Sequence, residues 1–178
     1  LSSSTSILAY REVEDTFHLL LEKTPFYAEG GGQVSDQGVL KQASQEYAVI
    51  DVQKSPYGSV LVVKQLPGLD QRLEAKVNRV SRAYTCANHS ATHLLQAALI
   101  EVLGPHVAQK GSLVNQDYLR FDFTHFEAMT KQQILDIQAL VNDKIRASIP
   151  LEEDREIPIE QAKKRGARML FGEKYGDK

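Results

Sequence analysis

Two imidazoles four residues apart, His89 and His93, open the run Asn88-His89-Ser90-Ala91-Thr92-His93-Leu94-Leu95-Gln96-Ala97-Ala98-Leu99-Ile100, which is strongly helical in composition. Residues i and i+4 of an α-helix stack on one face, so both rings can be aimed at a single atom, which is how a divalent metal is gripped. Zinc takes three or four protein ligands, so a helical pair is half of a site and the other half must come from elsewhere. The plainer alternative is one packed or capping histidine beside a solvated one. His18, His106 and His125 lack paired spacing and read as surface or satisfied side chains. Cys86 would lie about 10.5 Å from His93 along the helix axis, a long span for one tetrahedral ion, and reads as a small buried hydrophobe.

A second stretch with chemical capacity is Thr24-Pro25-Phe26-Tyr27-Ala28-Glu29-Gly30-Gly31-Gly32-Gln33-Val34-Ser35-Asp36. Pro25 biases Thr24 toward an extended shape, and the successive glycines admit backbone conformations that a side chain would block. Such a loop can press its amides against a ligand; the alternative is a flexible connector. Near the end, Lys163, Lys164, Arg165 and Arg168 form the visible basic cluster. It could touch phosphates, or it could complement the dipole of a helix C-terminus.

These side chains need elements to hold them. Period-two patterning around Ile7, Leu8 and Tyr10 and around Phe17, Leu19 and Leu21, broken by Glu12-Val13-Glu14-Asp15, reads as a hairpin. Further strand signals occupy 47–52, 59–63 and 73–77, separated by Pro/Gly turns, so the first 80 or so residues are expected to form a small, mostly antiparallel β-barrel. The period changes at 79–82, becomes helical over 84–103, and stops at Gly104-Pro105. Two strands around the turn Asn115-Gln116-Asp117 follow, then a helix over 130–147 with Thr130 as N-cap and Ile134, Ile137, Leu140, Val141 and Ile145 inward. Residues 156–159 read as a short strand or extended link, and 159–170 as a last helix. The fold class is α+β, divided into 1–80, carrying the glycine-rich loop, and 81–178.

With 178 residues, 42% hydrophobic and 25% charged, the chain can bury a core. A net charge of -2 argues against a general electrostatic grip on nucleic acid, so any such contact is expected to be local. The single cysteine forms no intrachain disulfide and fits a reducing cytoplasm. No apolar run approaches the roughly 20 residues of a membrane span. No P-loop is visible.

Five motifs occur in fixed order: Thr24-Pro25-Phe26-Tyr27-Ala28-Glu29 with Gly31-Gly32-Gln33, Asn88 to Leu95, Gln109-Lys110-Gly111-Ser112-Leu113-Val114, Leu119-Arg120-Phe121-Asp122-Phe123, and Phe171-Gly172-Glu173-Lys174-Tyr175-Gly176-Asp177. In this order they resemble the editing region of an alanyl-tRNA synthetase, across nearly the whole chain. The resemblance implies a β-barrel followed by the α/β domain shared with threonyl-tRNA synthetases. It also implies hydrolysis of tRNA(Ala) wrongly charged with serine or glycine, within a ligase whose ATP and Mg2+ belong to an aminoacylation domain upstream of Leu1. The expected partner is the acceptor end of tRNA(Ala), with neither DNA nor a membrane.

Carried over by position, His89 and His93 match the first zinc-ligand pair of that family. The second pair, Cys-x-x-x-His, is expected beyond Lys178, which would leave half of one Zn2+ site here and a core incomplete at its C-terminus. Thr92, whose hydroxyl could meet a misattached serine, and Gln109, whose amide could orient water or the amino acid, are candidate catalytic residues. Gly31, Gly32 and Gln33 are candidates to close over the ester through backbone donors. Arg120 and Asp122 alternate on a strand and rank second, since they could be a polar edge. The alternatives are a free-standing editing hydrolase of the same superfamily and a non-catalytic tRNA-binding module. The missing initiator methionine and the extended region after Leu119 favour an internal segment.

Overall fold

The computed structural model describes residues 1–150, 152, 154 and 156–166. The chain forms two compact units, Leu1–Thr92 with Gly111–Arg120, and His93–Lys110 with Phe121–Lys178. The two units divide within the helix that follows Asn78, between Thr92 and His93.

The first unit is built on seven antiparallel strands: β1 (Ser2–Thr5), β2 (Ile7–Val13), β3 (Thr16–Leu21), β4 (Gly38–Gln42), β5 (Gln45–Ser55), β6 (Gly58–Val63) and β7 (Leu73–Val77). Their order across the sheet is β1-β7-β4-β5-β6-β3-β2. The expected barrel is therefore an open half-barrel, because β1 pairs with β7 and β2 with β3, and among the described residues no ladder joins β1 to β2. The hairpin read around 4–21 is real only from Ile7 onward: Ser6 separates two strands that leave for opposite edges. Its turn is Glu14-Asp15, with Glu14 at φ 52°, so Glu12 and Val13 remain in β2. Period-two alternation places Leu73, Ala75 and Val77 in the core while Glu74 faces solvent. They pack with Leu19, Leu40, Val52, Leu61 and Val63, and Phe26 of the glycine-rich stretch joins them, 4% exposed.

Helix α1 (Arg79–Leu103) starts before the apolar pattern begins. The reason is Asn78, whose Oδ1 accepts from the N–H groups of Val80 and Ser81 at 3.1 Å each, an N-cap that the apolar pattern alone does not show. The helix stops at Gly104, whose φ of 113° suits only glycine. Strands β8 (Gln109–Val114) and β9 (Leu119–Phe123) form a two-stranded sheet, turned by Asn115 Oδ1 accepting from the N–H groups of Asp117 and Tyr118.

In the second unit, Ala98 and Leu99 of α1 pack with Val107, Phe121, Phe123 and Ile137. Helix α2 (Lys131–Arg146) opens on a capping box between Thr130 and Gln133. Of its five expected inward residues Ile137 is buried and Leu140 and Val141 partly so, whereas Ile134 and Ile145 are about half exposed. Helix α3 (Ile159–Lys164) is preceded by Pro158, and the remainder of the helix expected to 170 lies outside the described residues. Among the described residues no helix is long and apolar enough to cross a membrane.

Candidate active site

The glycine-rich stretch is a fastened loop rather than a slack connector. Phe26 anchors one end in the sheet core, and the Thr24 hydroxyl accepts from the Phe26 N–H at 3.2 Å. Gly30 and Gln33 exchange both backbone hydrogen bonds, at 3.1 and 3.0 Å, closing a tight turn whose interior residues Gly31 and Gly32 have φ of 59° and 79°. The Tyr27 hydroxyl donates to the Gly30 carbonyl at 2.8 Å. The turn is then laced to the end of β8: Val114 N–H donates to Gly32 O at 2.7 Å, and Val34 N–H to Val114 O at 3.0 Å. A Cβ on Gly32 would stand 2.9 Å from the Ser112 carbonyl oxygen, so the approach of the two backbones requires glycine there. The N–H groups of Gly30, Gln33 and Val34 are spent in this lacing, whereas neither Gly31 nor Gly32 gives its N–H to it.

Beside the turn lies one face of α1. Arg82, Thr85, His89 and Thr92 recur at helical spacing and form a polar stripe, with Thr85 and Thr92 about 5% exposed. His89 Nδ1 stands 2.7 Å from Oε1 of Gln33, whose side chain is buried. Thr92 donates its hydroxyl hydrogen to the Asn88 carbonyl at 2.9 Å, so toward a substrate it has only lone pairs to offer. The Asn88 amide donates to the Asn115 carbonyl at 2.8 Å, fixing α1 to the β8–β9 turn. Arg82 meets Asp36 through Nε at 2.8 Å from Oδ1 and through Nη2 on Oδ2. The loop is thus pinned to the helix on which His89 stands. The pattern reading missed Arg82 and Asp36; the available signal was the polar i, i+3, i+7, i+10 spacing that links Arg82 to Thr92.

Asp51 of β5 holds the loop from the sheet side, accepting from the Ser35 hydroxyl and the Val52 N–H at 2.7 Å each and from the Gln53 amide at 3.0 Å. Burial pushes its pKa up, but these hydrogen bonds, with help from nearby His18, outweigh burial and hold it below the ordinary carboxyl value.

His93 follows His89 by one turn of α1 and is exposed. Gln109 opens β8. Both belong to the second compact unit, whereas Gly31, Gly32, Gln33, His89 and Thr92 are brought together in the first. Cys86 is exposed, correcting its reading as a buried residue: it falls beside the inward stripe of α1, not on it. His106 and His125 pair with each other, Nε2 to Nδ1 at 2.9 Å. Lys163 is paired with Glu160 at 2.7 Å and Arg165 with Asp154 at 3.7 Å, while Arg168 and the 171–177 motif lie outside the described residues.

The donor chemistry suits a metal as far as it goes. His89 and His93, one turn apart on α1, are of a residue type that zinc sites use. Among the described residues no cluster of three or more His, Cys, Asp or Glu side chains is present, so a zinc ion would need further ligands.

Residues 3–80 match the family described as tRNA synthetases class II (A). An alanine–tRNA ligase of Cytophaga hutchinsonii is 48% identical over 99% of the chain, which covers 21% of that relative. One from Bacteroides fragilis is 52% identical over 97% of the chain, and one from Caldicellulosiruptor saccharolyticus 44% identical over 98%; the chain covers 20% of each. The chain thus spans about one-fifth of the length of the curated relatives it matches.

Proposed function

We infer that this chain is a segment of an alanyl-tRNA synthetase, and we propose that within that enzyme it hydrolyses seryl and glycyl esters of tRNA(Ala) at a zinc-dependent editing site. The observation that supports this reading best is the seating of the Gly30–Gln33 turn against the His89 face of α1. Two motifs 56 residues apart in sequence meet there, through the Gln33 side chain and a ring nitrogen of His89.

The substrate is an aminoacyl ester on the terminal ribose. Its hydrolysis needs a water held against the carbonyl and donors for the oxyanion that follows. The N–H groups of Gly31 and Gly32, which take no part in the lacing of the turn, are proposed as those donors. Thr92 is proposed to accept from the hydroxyl of a misattached serine, and Gln109 to orient water or the amino acid. His89 and His93 would hold zinc with ligands outside the described residues. A bound zinc would supply a water of lowered pKa or polarise the ester. Lys163, Lys164, Arg165 and Arg168 are proposed to contact acceptor-stem phosphates. ATP and Mg2+ are assigned to the aminoacylation domain of the parent enzyme, and the site of action to the cytoplasm.

The deciding experiment is deacylation of Ser-tRNA(Ala) by the parent enzyme and its His89→Ala variant. Hydrolysis well above background by the wild type and its loss in the variant are expected. Wild-type hydrolysis no faster than background would leave the binding-module reading.

A further inference from the structure

We propose that Gln33 is a positioning residue for His89: its side-chain carbonyl holds the Nδ1–H, fixes the ring's rotation about the helix, and sets Nε2 as the nitrogen that carries the lone pair. The inference rests on the editing reading for its purpose, but its geometry stands alone. Gln33 Oε1 and His89 Nδ1 are 2.7 Å apart, and Gln33 is 6% exposed.

Three features make this contact directional. The Gln33 backbone cannot drift, because its N–H and C=O are both held by Gly30 and the next residue is tied to Val114. Water has little access to the buried amide, so its oxygen needs a protein donor. Finally, a neutral imidazole carries one hydrogen, so donation from Nδ1 settles which nitrogen keeps its lone pair. Histidines that ligate metals commonly give the second ring N–H to a carbonyl or carboxylate in this way, which orients the ring and raises the basicity of the ligating nitrogen. Gln33 therefore acts through His89, and its side chain is not the one that meets the ester.

The test separates orientation from mere packing. In the metal-free, isotope-labelled chain at pH 8, long-range proton–nitrogen spectra should show His89 mainly as the Nδ1–H form. Gln33→Glu, which can accept but cannot donate, should keep that form. Gln33→Leu should release the ring to the Nε2–H form favoured by imidazoles in water. A wild-type His89 with its hydrogen on Nε2, or a Gln33→Glu variant that loses the Nδ1–H form, would overturn the proposal, since either means that the amide donates to the ring. In the parent enzyme Gln33→Leu should weaken zinc binding by roughly 10–100-fold while Gln33→Glu retains it. A parent enzyme that binds zinc and shows these tautomers yet leaves Ser-tRNA(Ala) intact would refute the editing reading and uphold the role of Gln33.

Discussion

Arg82 of α1 grips both carboxylate oxygens of Asp36, and the side chains of the pair are only 19% and 6% exposed. The same carboxylate accepts from the Tyr27 N–H at 2.7 Å, and the guanidinium reaches the Pro25 carbonyl at 3.4 Å. One ion pair thus gathers both ends of the glycine-rich loop onto the helix that carries His89. The hydrogen bond to Asp36 raises the Arg82 pKa, against the opposing effect of burial.

Removing one partner strands the other charge in a poorly solvated place. Asp36→Ala is expected to cost about 3–5 kcal/mol in urea unfolding of the chain, far more than a surface pair would. A loss below about 1 kcal/mol would show that the loop holds without this anchor.

Gly32→Ala tests the lacing between loop and β8. Its φ of 79° and a Cβ 2.9 Å from the Ser112 carbonyl oxygen force the turn to shift, carrying Gln33 off His89. The proposed hydrolysis of Ser-tRNA(Ala) by the parent enzyme should fall on the order of 100-fold, the scale of an ångström misplacement. Gly58→Ala, at φ 120° with open space around its Cβ, should cost only backbone strain of about 1–3 kcal/mol and leave hydrolysis intact. Equal effects of the two substitutions on activity would refute the role given to the turn.

Asp51 gives the pH dependence. Its pKa is lowered on folding, so the stability it contributes is complete above the ordinary carboxyl value of 3.8 and is lost as pH falls below that value through the depressed one. Asp51→Asn should therefore be less stable than wild type near neutral pH, with the gap closing in acid. A gap that stays constant across that window would mean that Asp51 ionises alike folded and unfolded.

On the proposed reading, His89 and His93 are half of a zinc site. The 178-residue chain is expected to retain zinc weakly or not at all on dialysis, and a longer chain carrying the proposed Cys-x-x-x-His pair to bind one equivalent. Tight stoichiometric zinc in the short chain would overturn the proposed ligand set.

For the basic cluster, Lys163→Ala with Lys164→Ala in the parent enzyme should lower the slope of log tRNA affinity against log salt by about two. An unchanged slope would assign Lys163 to its ion pair with Glu160 and both lysines to complementing the end of α3.

Local pattern carried the reading where local physics decides. Alternation at Leu73, Ala75 and Val77, the Asn115 turn and the Thr130 cap were legible because each rests on a few neighbouring residues. The open edge of the sheet was not, since which strand β1 chooses depends on β7, some 70 residues away. Inwardness on α2 failed at Ile134 and Ile145 because a helix at the surface buries only a narrow stripe. At the site, His89 and Gln33 each stood out as motif members, but their contact and the Arg82–Asp36 anchor are products of tertiary folding, invisible to periodicity.

A half-barrel that leaves β1 and β2 unmatched offers two templates on which further molecules could stack. Here one edge is a four-residue strand, and the other carries a bulge between Ile7 and Ala9 followed by the charges of Arg11 and Glu12. Shortness on one side, and a kink with desolvation-averse side chains on the other, deny a neighbour the long flat ladder that fibril growth requires.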